Sequence, residues 1–280
     1  MTKVIACIDG TDVSTAVSDC ASWASLRLEA PLEFLHVLDK SEYPIKSDLS
    51  GNIGFGSQQD LLQELADIDE KRGKLALEQG KRMLEAAMQR AISKGVSEPG
   101  SRQRHGNLVE TLTGMESQIR LLILGKHVQN LNDHIGSRVE NVVRTMHRPI
   151  LLTTKEFNAP QQIMIAFDGS DTTRKGVEMV ASSPLFRGLT CHLVMVGEKT
   201  QANQEQLKWA QTLLENAGFE TPAKIISGEV ERALCEYRSE HNIHMLVMGA
   251  YGHSVIRRFL IGSTTTSVIR NAKIPVLLLR

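Results

Sequence analysis

The sequence predicts two tandem copies of one α/β domain, each a doubly wound parallel sheet. Three observations carry this. The chain repeats itself in four ordered blocks, its apolar runs are continuous rather than alternating, and those runs alternate with amphipathic segments. Self-similarity is the strongest of these, because several matches in the same order exclude coincidence.

The blocks run as follows. Val4-Ile5-Ala6-Cys7-Ile8-Asp9-Gly10-Thr11-Asp12 matches Ile163-Met164-Ile165-Ala166-Phe167-Asp168-Gly169-Ser170-Asp171 at an offset of 159. The same offset carries Phe34-Leu35-His36-Val37 onto Leu193-Val194-Met195-Val196. Leu121-Leu122-Ile123-Leu124-Gly125 matches Met245-Leu246-Val247-Met248-Gly249, and Pro149-Ile150-Leu151-Leu152 matches Pro275-Val276-Leu277-Leu278. The polar stretch from Lys155 to Pro160 lies between two strand signals, which sets expected domains of 1–154 and 160–280.

Continuous β-branched runs are the pattern of strands buried on both faces of a parallel sheet. Strands alternating with helices imply βαβ units. In the second copy strands are expected near 162–168, 190–196, 223–227, 244–248 and 275–279, with helices near 171–182, 203–217, 229–241 and 262–271. The first copy is longer in its middle. Its offset falls from 159 to 122 at Gly106/Gly228, so 37 extra residues lie there. They include a loop expected over Ser50–Gly56 and a helix from about Gln58 to Ser93, interrupted at Gly73 or Gly80. Leu61, Leu62, Leu65 and Ile68 form a stripe at helical spacing, read as packing on the parent domain.

Bulk composition narrows the function classes. Lys+Arg and Asp+Glu both number 32, so no broad electrostatic footprint points to nucleic acid or an acidic membrane. The opening MTKVIACIDG reads as a strand rather than a signal peptide, and no apolar run has the length of a membrane span. Cys7, Cys20, Cys191 and Cys235 are scattered without a C-x-x-C pair, against disulfide frameworks and zinc ribbons. A cytoplasmic location is expected.

The most informative stretch runs from Gly249 to Thr264, after an apolar strand and before a helical segment. In open parallel sheets ligands bind at the carboxyl ends of strands. Glycines let the backbone approach phosphate oxygens, and a helix starting near Gly262 aims unpaired N–H groups at the same anion. The hydroxyls of Ser263 and Thr264 add donors.

The spacing Gly249-x2-Gly252-x9-Gly262-Ser263 resembles the phosphate-binding motif of the universal stress protein family. The resemblance covers the whole second copy and, weakly, the first. It implies an ATP-binding fold with two five-stranded sheets, each in the order 3-2-1-4-5. By the same resemblance phosphates lie on Gly249, Gly252, Gly262, Ser263 and Thr264, Asp168 lies near the ribose and adenine, and Val196 touches the base. His253 is a further candidate phosphate contact. Mg²⁺ can accompany the triphosphate. The last strands of two domains commonly pair in this family, so Ile150–Thr153 and Val276–Leu279 are expected to join into an internal pseudo-dimer, with a homodimer also open.

The first copy departs from the motif. Val128 replaces the second glycine, and the segment from Gly125 to Gly136 is two residues shorter than that from Gly249 to Gly262. A β-branched residue is strongly disfavoured at positive φ. Asp9, Gly136 and Ser137 persist, so the expectation is a pocket in outline with weak or absent ATP binding.

Other chemistries find little footing. No G-x-x-x-x-G-K-[ST] occurs, and Gly252-His253-Ser254-Val255-Ile256 lacks the closing glycine of a nucleophile elbow. Arg257 and Arg258 read as a solvated face, and His127, Asp133 and His134 lack a metal-ligand spacing. His241 and His244 read as a helix terminus and a strand start. No general base stands beside the expected γ-phosphate, so no catalytic residue is assigned and efficient turnover is not expected. Three function classes follow: an ATP-binding regulatory module, an ATP-using hydrolase or transferase on the same fold, and a nucleotide-free scaffold.

Overall fold

The structure, a computed structural model, describes residues 1–39, 55–126, 137–249, 268–269 and 271–279. The first half runs β1 (Lys3–Cys7), α1 (Ser14–Leu28), β2 (Leu32–Leu38), α2 (Phe55–Ser93), β3 (Gly100–His105), α3 (Leu108–Met115), β4 (Ile119–Gly125), α4 (Ser137–Thr145) and β5 (Ile150–Thr153). The second half runs β6 (Gln162–Ala166), α5 (Asp171–Ser182), β7 (Thr190–Val196), α6 (Gln201–Asn216), β8 (Ala223–Ile226), α7 (Val230–Glu240), β9 (Met245–Gly249) and β10 (Val276–Leu279). Every expected strand of the second half is present within two residues of its expected ends. The helix expected over 262–271 is described only at its end, where residues 268, 269 and 271 are helical.

The sheet is one rather than two. Its order is β3-β2-β1-β4-β5-β10-β9-β6-β7-β8, so each half shows the expected 3-2-1-4-5 order and the halves join edge to edge. All strand pairs are parallel except the join, where Val276, Leu277 and Leu278 run antiparallel to Leu152, Leu151 and Ile150. Two short apolar edges thereby close each other, which removes the exposed ladder that an apolar edge strand leaves open. The outer edge β3, Gly-Ser-Arg-Gln-Arg-His, is instead polar and mostly exposed, which blunts further pairing.

Alternate strand residues feed two cores on opposite faces. Val4, Ala6, Leu151, Ile163, Ile165, Leu277 and Leu279 point to the α1, α2, α5 and α6 side. Ile5, Leu122, Ile150, Leu152, Met164, Leu246, Val276 and Leu278 point to the α3, α4 and α7 side. Both cores run through both halves, which is why the strand runs carry no polar alternation. Contacts across the join continue outside the sheet. Arg27 on α1 donates to the carbonyls of Leu185 (3.1 Å) and Arg187 (2.5 Å), and Trp23 lies 5.7 Å from Phe157.

The enlarged middle segment departs from expectation in three ways. Helix α2 is a single run of 39 residues that neither Gly73 nor Gly80 interrupts. Its start takes in Phe55 and Gly56, placed in the expected loop, while residues 50–54 lie outside the described ones. Gly80 is a point of close approach: a Cβ there would stand 2.2 Å from Gln103 Nε2 and 2.5 Å from His36 Cδ2. Tertiary contact, not backbone freedom, explains this glycine. Finally, Ile68 of the expected packing stripe is exposed, at 39%. The side chains of Leu61, Leu62 and Leu65 lie outside the described residues.

Candidate functional site

In a doubly wound sheet the crevice for ligands opens where successive connections leave in opposite directions. In the second half that point lies between β6 and β9, and in the first between β1 and β4. The residues following these strands are the matched Asp-Gly and Gly pairs of the internal repeat.

Asp168 follows β6. Its Oδ1 accepts from the Ser170 amide (3.0 Å) and the Thr173 hydroxyl (2.7 Å), which orients the carboxylate at the strand end. Gly169 takes φ +75°, and a Cβ there would meet the Gln206 side-chain amide of α6 at 1.5 Å. The backbone angle demands glycine, whereas the end of the flexible Gln206 side chain can move aside. Ser170 then caps α5 by accepting from the Thr173 amide, so an N-terminus opens beside Asp168. Across the switch point Gly249 ends β9, packed so closely on α5 that a Cβ would lie 3.2 Å from the methyls of Thr172 and Thr173. Val196 ends β7 and is half-buried at the same sheet edge. Thus Asp168, Val196 and Gly249 stand together at the carboxyl ends of neighbouring strands. Gly252, His253, Gly262, Ser263 and Thr264 lie outside the described residues.

The first half repeats the frame with different lining. Asp9 Oδ1 accepts from the Thr11 amide (3.0 Å), the Thr11 hydroxyl (2.7 Å) and Ser14 Oγ (3.2 Å). Gly10 takes φ +77°, and here the would-be Cβ meets the Met83 sulfur at 2.3 Å. An apolar thioether from α2 stands where α6 presents an amide in the second half. Gly125 is pressed against Val13 and Val17, at 2.9 and 3.2 Å from its would-be Cβ, in place of two threonines.

Lys126 is the largest departure, and composition did not reveal it. It matches Ala250 in the repeat, so an extra cation was visible there, but not its target. Its Nζ donates to the carbonyls of Ile269 and, at 2.6 Å, Ala272, at the end of the last helical turn of the second half. The residue is buried, and burial pushes its ammonium down from the ordinary lysine range to about 8. A cation on the last carbonyls of a helix complements their partial negative charge. The end of β4 in one half is thereby tied to the helix that follows the glycine-rich segment of the other.

The remaining candidates are structural where described. His241 is the C-cap of α7, and His244 Nδ1 faces the amides of Gln161 (3.2 Å) and Gln162 (3.3 Å) just before β9. His192 bridges Tyr237 Oη and Gln162 Oε1, both at 3.0 Å, and burial, then the neighbouring His241, lowers its pKa. Among the described residues no group of three or more His, Cys, Asp or Glu could hold a metal, and no helix is long and apolar enough to cross a membrane. Segment 127–136, with His127, Val128, Asp133 and His134, lies outside the described residues.

Comparison with known proteins bears on the family and the fold. The universal stress protein family model matches residues 1–154 and 193–280. A universal stress protein of Synechocystis sp. is 32% identical over 287 residues, covering 100% of both chains. One from Methanocaldococcus jannaschii is 29% identical over 80 residues, covering 29% of this chain and 47% of its own. The crystal structure of a universal stress protein from Archaeoglobus fulgidus superimposes with a TM-score of 0.66 over 99% of this chain and 95% of its own, at 16% identity, a likeness of fold. With matching segments over most of its length and a full-length relative, the chain belongs to the universal stress protein family.

Proposed function

We propose that this protein is a nucleotide-responsive regulatory module of two units, 1–154 and 160–280, in which the second unit binds ATP and the first serves as its structural partner. The observation that carries the reading is the convergence of Asp168, Val196 and Gly249 at the switch point, with the spacing Gly249-x2-Gly252-x9-Gly262-Ser263-Thr264 continuing from the last of them. Asp168 accepts from ribose hydroxyls, Val196 packs on the base, and the glycine-rich segment with His253 takes the phosphates. Asp168, oriented at the strand end by the Ser170 amide and the Thr173 hydroxyl, has the acceptor chemistry that ribose hydroxyls require. Mg²⁺ would accompany the triphosphate, neutralising its charge. With no general base assigned beside the phosphates, the protein senses or carries nucleotide rather than turning it over efficiently.

The first half supports a structural role. Met83 over Gly10 and Val128 in the shortened segment replace polar and small groups, and Lys126 is committed to the other half.

The test is calorimetric titration of ATP into nucleotide-free protein, repeated with Gly252→Val, which copies Val128. One site in the wild type that is lost in the variant is the expected result. No binding by the wild type sinks the ATP assignment. Two sites, one surviving in the variant, sink the structural role of the first half. Rapid product formation from labelled ATP would favour the enzyme reading instead.

A further inference from the structure

Helix α2 changes character along its length. Its C-terminal part packs on the body: Leu84, Ala87 and Ala91 are buried, Gly80 touches His36 and Gln103, and Arg90 forms two 2.7 Å hydrogen bonds to Asp19. Before that, every described side chain from Asp67 to Gln79 is exposed except the half-buried Ala76. Leu75 is 65% exposed and Ile68 39%. At about 100° per residue, Ile68 and Leu75 lie roughly 160–180° around the helix from Leu84. Their face therefore looks away from the body.

An unpacked helix with an apolar stripe is poorly supported by propensity alone, since most helical stability in proteins comes from packing that stripe. The stripe also has a period. Leu61, Ile68 and Leu75 recur every seven residues, with Leu65 between the first two and Arg72 at the matching place between the next two. One position of a two-helix seam is therefore apolar throughout and the other in part.

Charge identifies the occupant. Residues 60–70 contain Asp60, Glu64, Asp67, Asp69 and Glu70 and no Lys or Arg. Residues 71–82 contain Lys71, Arg72, Lys74, Lys81 and Arg82 against the single Glu78. The helix dipole does not account for this division, because its influence falls off within the first turn and the acidic block lies beyond that turn. Two such segments side by side in parallel set like charge on like. Reversed about a two-fold axis near residue 70, they set acid on base twice and leave the two bodies at opposite ends.

We propose that the projecting part of α2 pairs antiparallel with the same segment of a second copy of this chain, making an isologous dimer through Ile68 and Leu75. The occupant is the chain itself because the surface is complementary to its own reverse.

Sedimentation equilibrium of the full chain tests this. The wild type is expected at twice 31.0 kDa, with a melting temperature that rises with protein concentration. Leu75→Lys is expected at the monomer mass, still cooperatively folded, with a melting temperature independent of concentration. Two charge variants extend the test: Asp67→Lys with Glu70→Lys, and Lys71→Glu with Lys74→Glu. Each alone is expected to dimerise at least about tenfold more weakly, and the two mixed to form a heterodimer, because like-charge juxtaposition suppresses the wrong pairing. A monomeric wild type at every concentration overturns the proposal. So does a Leu75→Lys dimer, which places the interface elsewhere, or a mixture that shows no heterodimer.

Discussion

Replacing Lys126 by methionine removes a buried amine while keeping most of the side-chain volume, and the structure gives the effect a sign. Two terms oppose each other. The carbonyls of Ile269 and Ala272 lose a donor, at about 1.5–3 kcal/mol for each hydrogen bond to a charged group. Against this, the protein no longer buries an ammonium, a cost visible in the fall of its pKa from 10.5 to about 8. At about 1.4 kcal/mol per pH unit, that fall corresponds to about 3 kcal/mol. Near neutral pH the terms partly offset, and the variant is expected at most about 3 kcal/mol less stable than the wild type. Raising the pH separates them. Between about 8 and 10.5 the unfolded chain holds this proton and the folded chain does not, so the stability contributed by Lys126 rises with pH across that window. The neutral amine still donates to the carbonyls. The difference in unfolding free energy, wild type minus Lys126→Met, should therefore grow by about 2 kcal/mol between about pH 7 and pH 9.5. Urea unfolding followed by tryptophan fluorescence reads it, with Trp23 reporting on the first half and Trp209 on the second. Taking the difference cancels every group common to both proteins. A difference that stays flat or shrinks as pH rises would refute the reasoning, because the carbonyls would then hold the ammonium more strongly than burial opposes it.

Two glycines of α2 should respond to alanine with opposite signs. Gly73 has nothing within 4 Å of its would-be Cβ, so Gly73→Ala should stabilise the helix by about 0.5–1 kcal/mol, read by circular dichroism on heating. Gly80→Ala meets His36, which is held at 2.7 Å on the Ile8 carbonyl, and should lower the melting temperature despite its better propensity. Asp168→Asn preserves an oxygen for the Ser170 amide and Thr173 hydroxyl while removing the charge. It should leave thermal stability nearly unchanged and weaken nucleotide binding about tenfold, or about 1.4 kcal/mol. Unaltered affinity by calorimetry would remove Asp168 from the binding site.

Much of the architecture was written along the chain. A strand buried on both faces must be apolar at every position, so β1, β4, β6 and β9 announce themselves as runs, and their duplication exposes the repeat. The pairing of β5 with β10 was expected only through the family resemblance, and the structure supplies its physical reason, two apolar strand edges that cover each other. The glycines at 10 and 169 were legible as a pair, although their reasons were not. Both take positive φ, yet one approaches Met83 and the other Gln206, and only the packing of α2 and α6 makes that distinction.

The tertiary structure decided the rest. Helix α2 runs unbroken through Gly73 and Gly80. Each glycine costs only about 1 kcal/mol, and continuing a helix avoids a second costly nucleation. Gly80 then proves to be a contact rather than a break. Lys126 stood in the sequence as a cation in a degenerate loop, but its carbonyl partners are more than 140 residues away. Local pattern sets which residues must be buried and where the backbone must turn. Which distant carbonyls a buried amine satisfies, and which face of a helix is left without a partner, depend on contacts that exist only once the two halves share one sheet.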